Sequence, residues 1–253
     1  IYEMSHVFRQ KDPVFIDILN GVRDGSISEE KLRQLNERVV SMEGEPAVII
    51  APTNDAVEGY NQAMLDSIDE PEFSYEATVT GSLTERDFPA PRTLRLKVGA
   101  RVMMLKNDFN STSDRPEEGR RWANGTLGQV SKLTKDSIWV MVNGVSHQID
   151  MAKWERAQYS YDPQTKGLQK RVTASFWQFP VKLAWAITVH KAQGATYQSV
   201  GVDLADGMFA SGQTYVALSR CVDMDKLYLS RPISHEDILV SSEVKTFLED
   251  LVP

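Results

Sequence analysis

Cysteine is almost absent: Cys221 stands alone in 253 residues. No internal disulfide can form, and a reducing intracellular compartment is the expectation. No run of about 18 apolar residues occurs, which excludes a membrane-spanning helix. The opening IYEMSHVFRQ lacks the basic-then-apolar grading of a secretory leader. Cytoplasmic placement follows, or nuclear or mitochondrial placement in a eukaryotic host. His6, His147, His190 and His235 are scattered without the His/Cys spacing of a metal site, so no metal ligands are expected. No G-x-x-x-x-G-K-[ST] string is present, and without it there is no phosphate-cradling P-loop. Acidic side chains are missing from Pro163 to Val202, a stretch that holds Lys166, Lys170, Arg171, Lys182 and Lys191.

What is present fits an ordinary globular chain. Apolar residues make up 42% and charged residues 25%, enough for one large domain or a medium one with an insertion. A net charge of −7 argues against bulk-charge binding of nucleic acid. The distribution says more than the sum. Arg92 to Lys132 carries nine Lys/Arg against four Asp/Glu. A basic face on an acidic body fits a groove that tracks phosphates, and it equally fits chance clustering.

Helices are expected over Pro13 to Arg23, opened by proline and stopped by Gly25, and over Glu29 to Val40 behind Ser28. Ala47 to Ala51 has strand length, and Thr53 caps a helix running to about Ile68. Glu72 to Thr80 reads as one strand, and TLRLKVGARVMMLKND as two strands or a bent one around Gly99. Phe109 to Arg121 reads as a mobile loop. Leu127 to Leu133, Ser137 to Val142 and Val145 to Ile149 read as short strands, with hairpin-turn dipeptides at Asn124-Gly125 and Asn143-Gly144. Such spacing indicates a small barrel inserted into a parallel-sheet domain. Trp139 and Trp177 are expected to fill its core; Trp122 and Trp154 are open between core filling and base stacking. Leu183 to Ile187, Val200 to Leu204 and Lys226 to Leu229 read as further strands, and Ser242 to Leu251 as a closing helix. Gln213 onward reads as a short helix with Val216 and Leu218 facing inward and Arg220 at its end.

The stretch VKLAWAITVHKAQGATYQSVGVDL, followed by GQTYVALSR, carries the most chemistry. A strand ending in a Thr-x-His-Lys turn puts polar groups at the carboxyl edge of a sheet, where open α/β folds bind ligands. A nearby arginine can grip an anion bidentately. Singly, His190 would pass for a core histidine and Arg220 for a surface charge.

Together, in order and spacing, these two strings resemble motifs V and VI of superfamily 1 DNA helicases of the RecD/Dda/PIF-type, the 5′→3′ branch. FRQKDPVFIDILNGVRDG resembles their motif IV region, with Arg9 at the position that contacts the terminal phosphate. APTNDAVEGYNQAML resembles the strand–turn–helix that touches single-stranded DNA, and TLRLKVGARVMMLKND with WANGTLGQV resembles the segment beside their accessory barrel. The resemblance implies an α/β fold: a RecA-like parallel-sheet domain over 1–105 and 180–253, interrupted by an SH3-like barrel over 106–179.

It further implies that Arg9 and Arg220 are catalytic arginine fingers and that Gly194 and Gln193 lie at the nucleotide. Thr53, Asn54, Thr188, His190 and Lys191 would contact single-stranded DNA. Thr196 departs from the family pattern, since many relatives carry a ribose-binding glutamate there. Because the P-loop and the acidic motif are missing, the chain looks like a second motor domain without its P-loop partner domain. ATP and Mg2+ would be bound mainly by that partner, and this chain alone is expected to hydrolyse nothing. The alternative, from another class, is a non-enzymatic nucleic-acid or protein-binding module derived from a helicase.

Overall fold

Asp12 opens the first helix in the computed structural model, which describes residues 8–42, 46–108, 121–162 and 167–249. Its carboxylate accepts from the Val14 amide, Pro13 fills the first helical position, and α1 runs Pro13–Asp24. Phe15, Ile18, Leu19 and Val22 form its buried stripe, and Gly25 stops it at φ +67°, a left-handed conformation that glycine adopts without cost. Ser28 caps α2 (Glu29–Asn36). This helix ends earlier than the expected Val40. The chain at 38–39 is recruited instead by a strand near the C-terminus: the Leu229 amide donates to the Arg38 carbonyl at 2.9 Å and Val39 bridges Leu229. Next come β1 (Val48–Ala51) and α3 (Asn54–Asp66).

The chain divides into two units: Ile1–Gln62 with Trp185–Pro253, and Ala63–Ala184. These divisions, after residues 62 and 184, differ from the 105/106 and 179/180 boundaries that the resemblance implied. Residues 63–105 group with the middle of the chain because their strands pair there.

In the middle unit, β2 (Phe73–Glu76) and β3 (Thr78–Gly81) replace the single strand expected over Glu72 to Thr80. The run breaks at Ala77, whose amide donates to the Arg92 carbonyl. On one side of the break β2 pairs with β4 (Thr93–Leu96). Past the bend at Gly99 (φ +89°) comes β5 (Arg101–Met104), then β6 (Leu127–Leu133), β7 (Ile138–Val142) and β8 (Val145–Ile149). Asn143 (φ +50°) and Gly144 (φ +80°) both occupy the left-handed region, which a two-residue type I′ hairpin requires. Asn124-Gly125 instead forms a turn in which the Thr126 amide donates to the Ala123 carbonyl, at the end of the long β5–β6 connection. The loop expected over Phe109 to Arg121 lies, except for Arg121, outside the described residues. That arginine holds the buried Asp108 carboxylate through Nε (2.8 Å) and Nη2 (2.9 Å).

Then β9 (Ala152–Asp162) and β10 (Gly167–Gln178) form a long antiparallel hairpin, with β3 alongside the base of β10. The residue pattern had not revealed it. Short β11 (Val181–Leu183) pairs with β5, giving a five-stranded antiparallel sheet in the order β11-β5-β6-β7-β8. Trp177 is 40% exposed and Trp139 half-buried, so neither fills a core as expected, whereas Trp122 is buried.

Leu183 to Ile187 is not one strand. After β11 the chain turns at Ala184 and Trp185, and β12 (Ala186–Thr188) joins β1 in a parallel sheet of the other unit. The rest of that unit is α4 (Val189–Ala192), β13 (Val200–Val202), α5 (Gln213–Leu218), β14 (Leu227–Leu229) and α6 (Ser242–Glu249). The four parallel strands run in the order β12-β1-β13-β14. Val48, Ile50, Ile187, Val200, Val202, Leu227 and Leu229 are buried, as befits strands covered on both faces. α5 turns Gln213, Thr214, Ala217 and Leu218 inward, while Val216, expected inside, is half-buried. No described helix is long and apolar enough to cross a membrane.

Arg231 staples the end of this unit. Its guanidinium grips Asp237 through Nη1 (2.9 Å) and Nη2 (2.6 Å), and its Nε donates to the Leu204 carbonyl just past β13. That ion pair, helped by the Ser234 amide and hydroxyl, holds the Asp237 carboxyl down at about 2 against an ordinary 3.8. The unfolded chain therefore takes up its proton first on acidification. The stabilisation is complete above about pH 4 and is lost as pH falls toward 2, about 2 kcal/mol in all. Urea unfolding from pH 6 to 2 should show this loss in the parent chain, and Asp237→Asn should be less stable at pH 6 with a flatter acid limb.

Candidate nucleotide and nucleic-acid site

Parallel pairing of β1 and β12 places Ala51 opposite Thr188, so the residues after each strand emerge side by side at the carboxyl edge of the sheet. After β1, the Thr53 hydroxyl accepts from the Ala56 amide (3.2 Å) and donates to Asp206 (3.1 Å), and Asn54 is exposed at the start of α3. After β12, Thr188 caps α4 by accepting from the Lys191 amide, and His190 and Lys191 are exposed. His190 is thus no core histidine. From β13 the buried Asp203 accepts from the Ala205 amide (3.0 Å) and bonds the Tyr60 hydroxyl. Burial, then the Asp203 charge, raise the Tyr60 pKa.

A second group gathers where α4 and α5 meet. Arg220 is only 8% exposed, so it is no surface charge. Its Nε donates to the Val216 carbonyl (2.9 Å), Nη1 to the Ala195 carbonyl (3.2 Å) and Nη2 to the Ser219 hydroxyl (2.7 Å). Arg9 reaches the same turn, donating from Nε to the Thr196 hydroxyl (2.8 Å) and from Nη1 to the Ser219 carbonyl (2.8 Å). Burial, and next the Arg9 charge, lower the Arg220 pKa. Neither arginine has a carboxylate partner among the described residues. Two like charges held together with dehydrated donors and no counter-ion favour an anion, and a phosphate matches the planar guanidinium fork. Gly194 (φ +80°) lies exposed in the adjoining turn, and Gln193 is exposed beside it.

The sequence-derived residues thus sort into two groups linked by α4: Arg9, Arg220, Gly194 and Gln193 in one, and Thr53, Asn54, Thr188, His190 and Lys191 in the other. Three contributors had been missed. Gln10, buried, donates to the Ser219 (2.9 Å) and Cys221 (2.8 Å) carbonyls and so fixes the segment that carries Arg9. Thr196 supplies the acceptor for Arg9. Tyr197 is buried with a hydroxyl that has no hydrogen-bond partner among the described residues, and burial pushes its pKa up to about 12. Thr196 stood out in the sequence only as a departure from the family pattern, and nothing local marked Gln10 or Tyr197 as part of the site. No group of His, Cys, Asp or Glu among the described residues could hold a metal ion.

No family model matches the chain. It is 34% identical over 232 residues to the ATP-dependent DNA helicase Pif1 of Bdellovibrio bacteriovorus, covering 89% of this chain and 49% of that protein. Its fold is similar to that of unliganded Pif1 from Bacteroides sp, with a TM-score of 0.78, 30% identity, and coverage of 96% of this chain and 55% of the other. A Bacteroides Pif1 in complex with ADP-AlF3 and single-stranded DNA gives a TM-score of 0.75 at 29% identity, covering 99% and 56%. The chain spans about half the length of these relatives.

Proposed function

We propose, for a chain whose homologues are superfamily 1 DNA helicases of the Pif1 family, that it works as the second motor domain of an ATP-dependent 5′→3′ helicase. In this reading the parallel-sheet unit is RecA-like and the five-stranded antiparallel sheet belongs to an SH3-like barrel. ATP and Mg2+ would be held mainly by a P-loop domain, since the 253 residues contain no such string. Bound there, ATP supplies the phosphoryl group whose departure the motor couples to movement.

The observation that supports the reading is the meeting of Arg9 and Arg220 at the Gly194–Thr196 turn with no carboxylate partner among the described residues. Arg220 would neutralise charge growing on the γ-phosphate, as arginine fingers do. Arg9 would bind the same phosphate, oriented through Thr196 and, by way of Gln10, through the backbone of residues 219–221. Gly194 and Gln193 border this nucleotide cleft. At the sheet edge, Thr53, Asn54, Thr188, His190 and Lys191 would hold the phosphates of single-stranded DNA with hydroxyl, amide and cationic donors. Movement of the strand would follow from opening and closing against the P-loop domain.

Titration of a labelled oligonucleotide at several salt concentrations tests the sheet-edge contacts. Binding should be weak, indifferent to sequence and linear in log salt. Lys191→Ala should reduce the slope by about 0.7, one phosphate contact on a single strand. A salt-independent affinity, or a marked preference for one sequence, would contradict the assignment.

A further inference from the structure

The hairpin β9–β10 has two unlike faces. Trp154 and Phe176 point to one, paired across the strands with their rings 5.9 Å apart and Phe88 packed on Phe176. The other begins with the cross-strand pair Lys153 and Trp177, and a bulge at Thr173 keeps the two strands in phase. Beyond it Tyr159 lies opposite Lys170 and Tyr161 opposite Leu168. Strand alternation places all of these on one face. Tyr159 is 65% exposed, Tyr161 63% and Leu168 72%, and β3 covers β10 only as far as Ala174. Large apolar groups gathered on a solvated ribbon are the kind of exposure that marks an interaction surface.

The charge on the ribbon identifies the occupant. On this face stand Lys153 and Lys170 against the single carboxylate Glu155, in a chain whose net charge is −7. Glu155, the carboxylate on the aromatic face, is already held by Lys153 (2.7 Å) and Lys170 (3.5 Å). Tyr159 and Tyr161 stand two residues apart, about 6.8 Å along the strand. Aromatic platforms at regular intervals with lysines between them are the elements from which single-strand binding surfaces are built.

We infer that this face of the β9–β10 ribbon is a second single-stranded nucleic-acid surface, on which Tyr159 and Tyr161 stack bases while Lys170 attends the backbone. It shares its ligand class with the proposed function but stands on residues of the middle unit alone. The test compares labelled oligo-dT with an abasic strand of equal length, using the parent chain, Tyr159→Ala/Tyr161→Ala, Tyr159→Phe/Tyr161→Phe and Lys191→Ala.

Each stacked base is worth fivefold or more on alanine substitution, so the double alanine variant should bind oligo-dT roughly 25-fold more weakly. It should bind the abasic strand almost as the parent does, and the phenylalanine pair should restore oligo-dT binding. Equal oligo-dT affinity in the parent and the alanine variant would overturn the inference, as would equal loss on both strands. So would a tyrosine-dependent preference for duplex, or tyrosine-dependent self-association with oligo-dT binding unchanged. If only Lys191→Ala weakens binding, the sheet-edge reading stands and the ribbon surface falls. The reverse pattern separates them the other way, and a parent chain that binds no strand refutes both.

Discussion

Arg220→Ala, made in a chain that also carries a P-loop domain, should lower DNA-stimulated ATP hydrolysis by on the order of 10³-fold. The guanidinium acts on charge that develops only as the γ-phosphate leaves, so kcat should collapse while nucleotide affinity moves by a few-fold at most. Arg220→Lys should not rescue it. A lysine offers a point charge, whereas Arg220 carries a planar fork, which in the resting chain donates to the Ala195 carbonyl and the Ser219 hydroxyl. The resting fold should tolerate the change. Arg220 is dehydrated beside Arg9 with no carboxylate among the described residues to offset it, so removing one of two like charges relieves about as much as the lost carbonyl bonds cost. Phosphate release in single turnover, set beside a melting curve, separates these effects. Hydrolysis within a few-fold of the parent, or a melting point far below it, would make Arg220 a structural residue.

The second large effect concerns the edge of the parallel sheet. β12 is the outermost strand, and the Ala186 amide and carbonyl face its open side. Asn61 of α3 closes them, accepting from the Ala186 amide at 2.9 Å and donating to its carbonyl at 3.0 Å, in the place of a missing neighbouring strand. Both partners are buried. Asn61→Ala leaves two main-chain groups without partners, each costing about 1–3 kcal/mol, so a loss of about 2–6 kcal/mol is expected in urea unfolding. Asn61→Asp keeps the acceptor but loses the donor and buries a charge, and should be no better. Single-strand binding should weaken alongside, because β12 carries Thr188 at its end. A loss below about 1 kcal/mol would show that water replaces the amide.

What could be read from residues alone follows a physical pattern. α1 was legible because proline, an apolar stripe and a terminal glycine all agree over Pro13–Asp24. Arg9 and Arg220, 211 positions apart, were singled out by the wording of their strings. Nothing local said that both would bind the Ser219 segment or that Arg220 would be buried. The break between β11 and β12 was hidden because Leu183 to Ile187 is continuously apolar, and only pairing partners decide where such a run divides. β9 escaped notice for the opposite reason. Much of AKWERAQYSYD faces solvent on both sides, so no alternation of burial marks it, and its hydrogen bonds to β10 arise from residues not yet read. Trp139 and Trp177 depart from the expected core positions because size predicts burial only on average.

The order in which the sheet's strands are synthesised carries its own consequence. β1 is made before the rest of its sheet, and its two neighbours, β12 and β13, begin about 135 and 150 residues later. At a ribosomal pace of roughly 5–20 residues per second, Val48–Ala51 waits on the order of 10 s or more for its first partner. β2 through β11 pair only among themselves, so the middle unit can be complete before β1 is covered. The nascent chain therefore carries a short sticky strand past a finished neighbour. Slower elongation just after residue 184 would lengthen that exposure, whereas slower elongation before residue 48 would leave it unchanged.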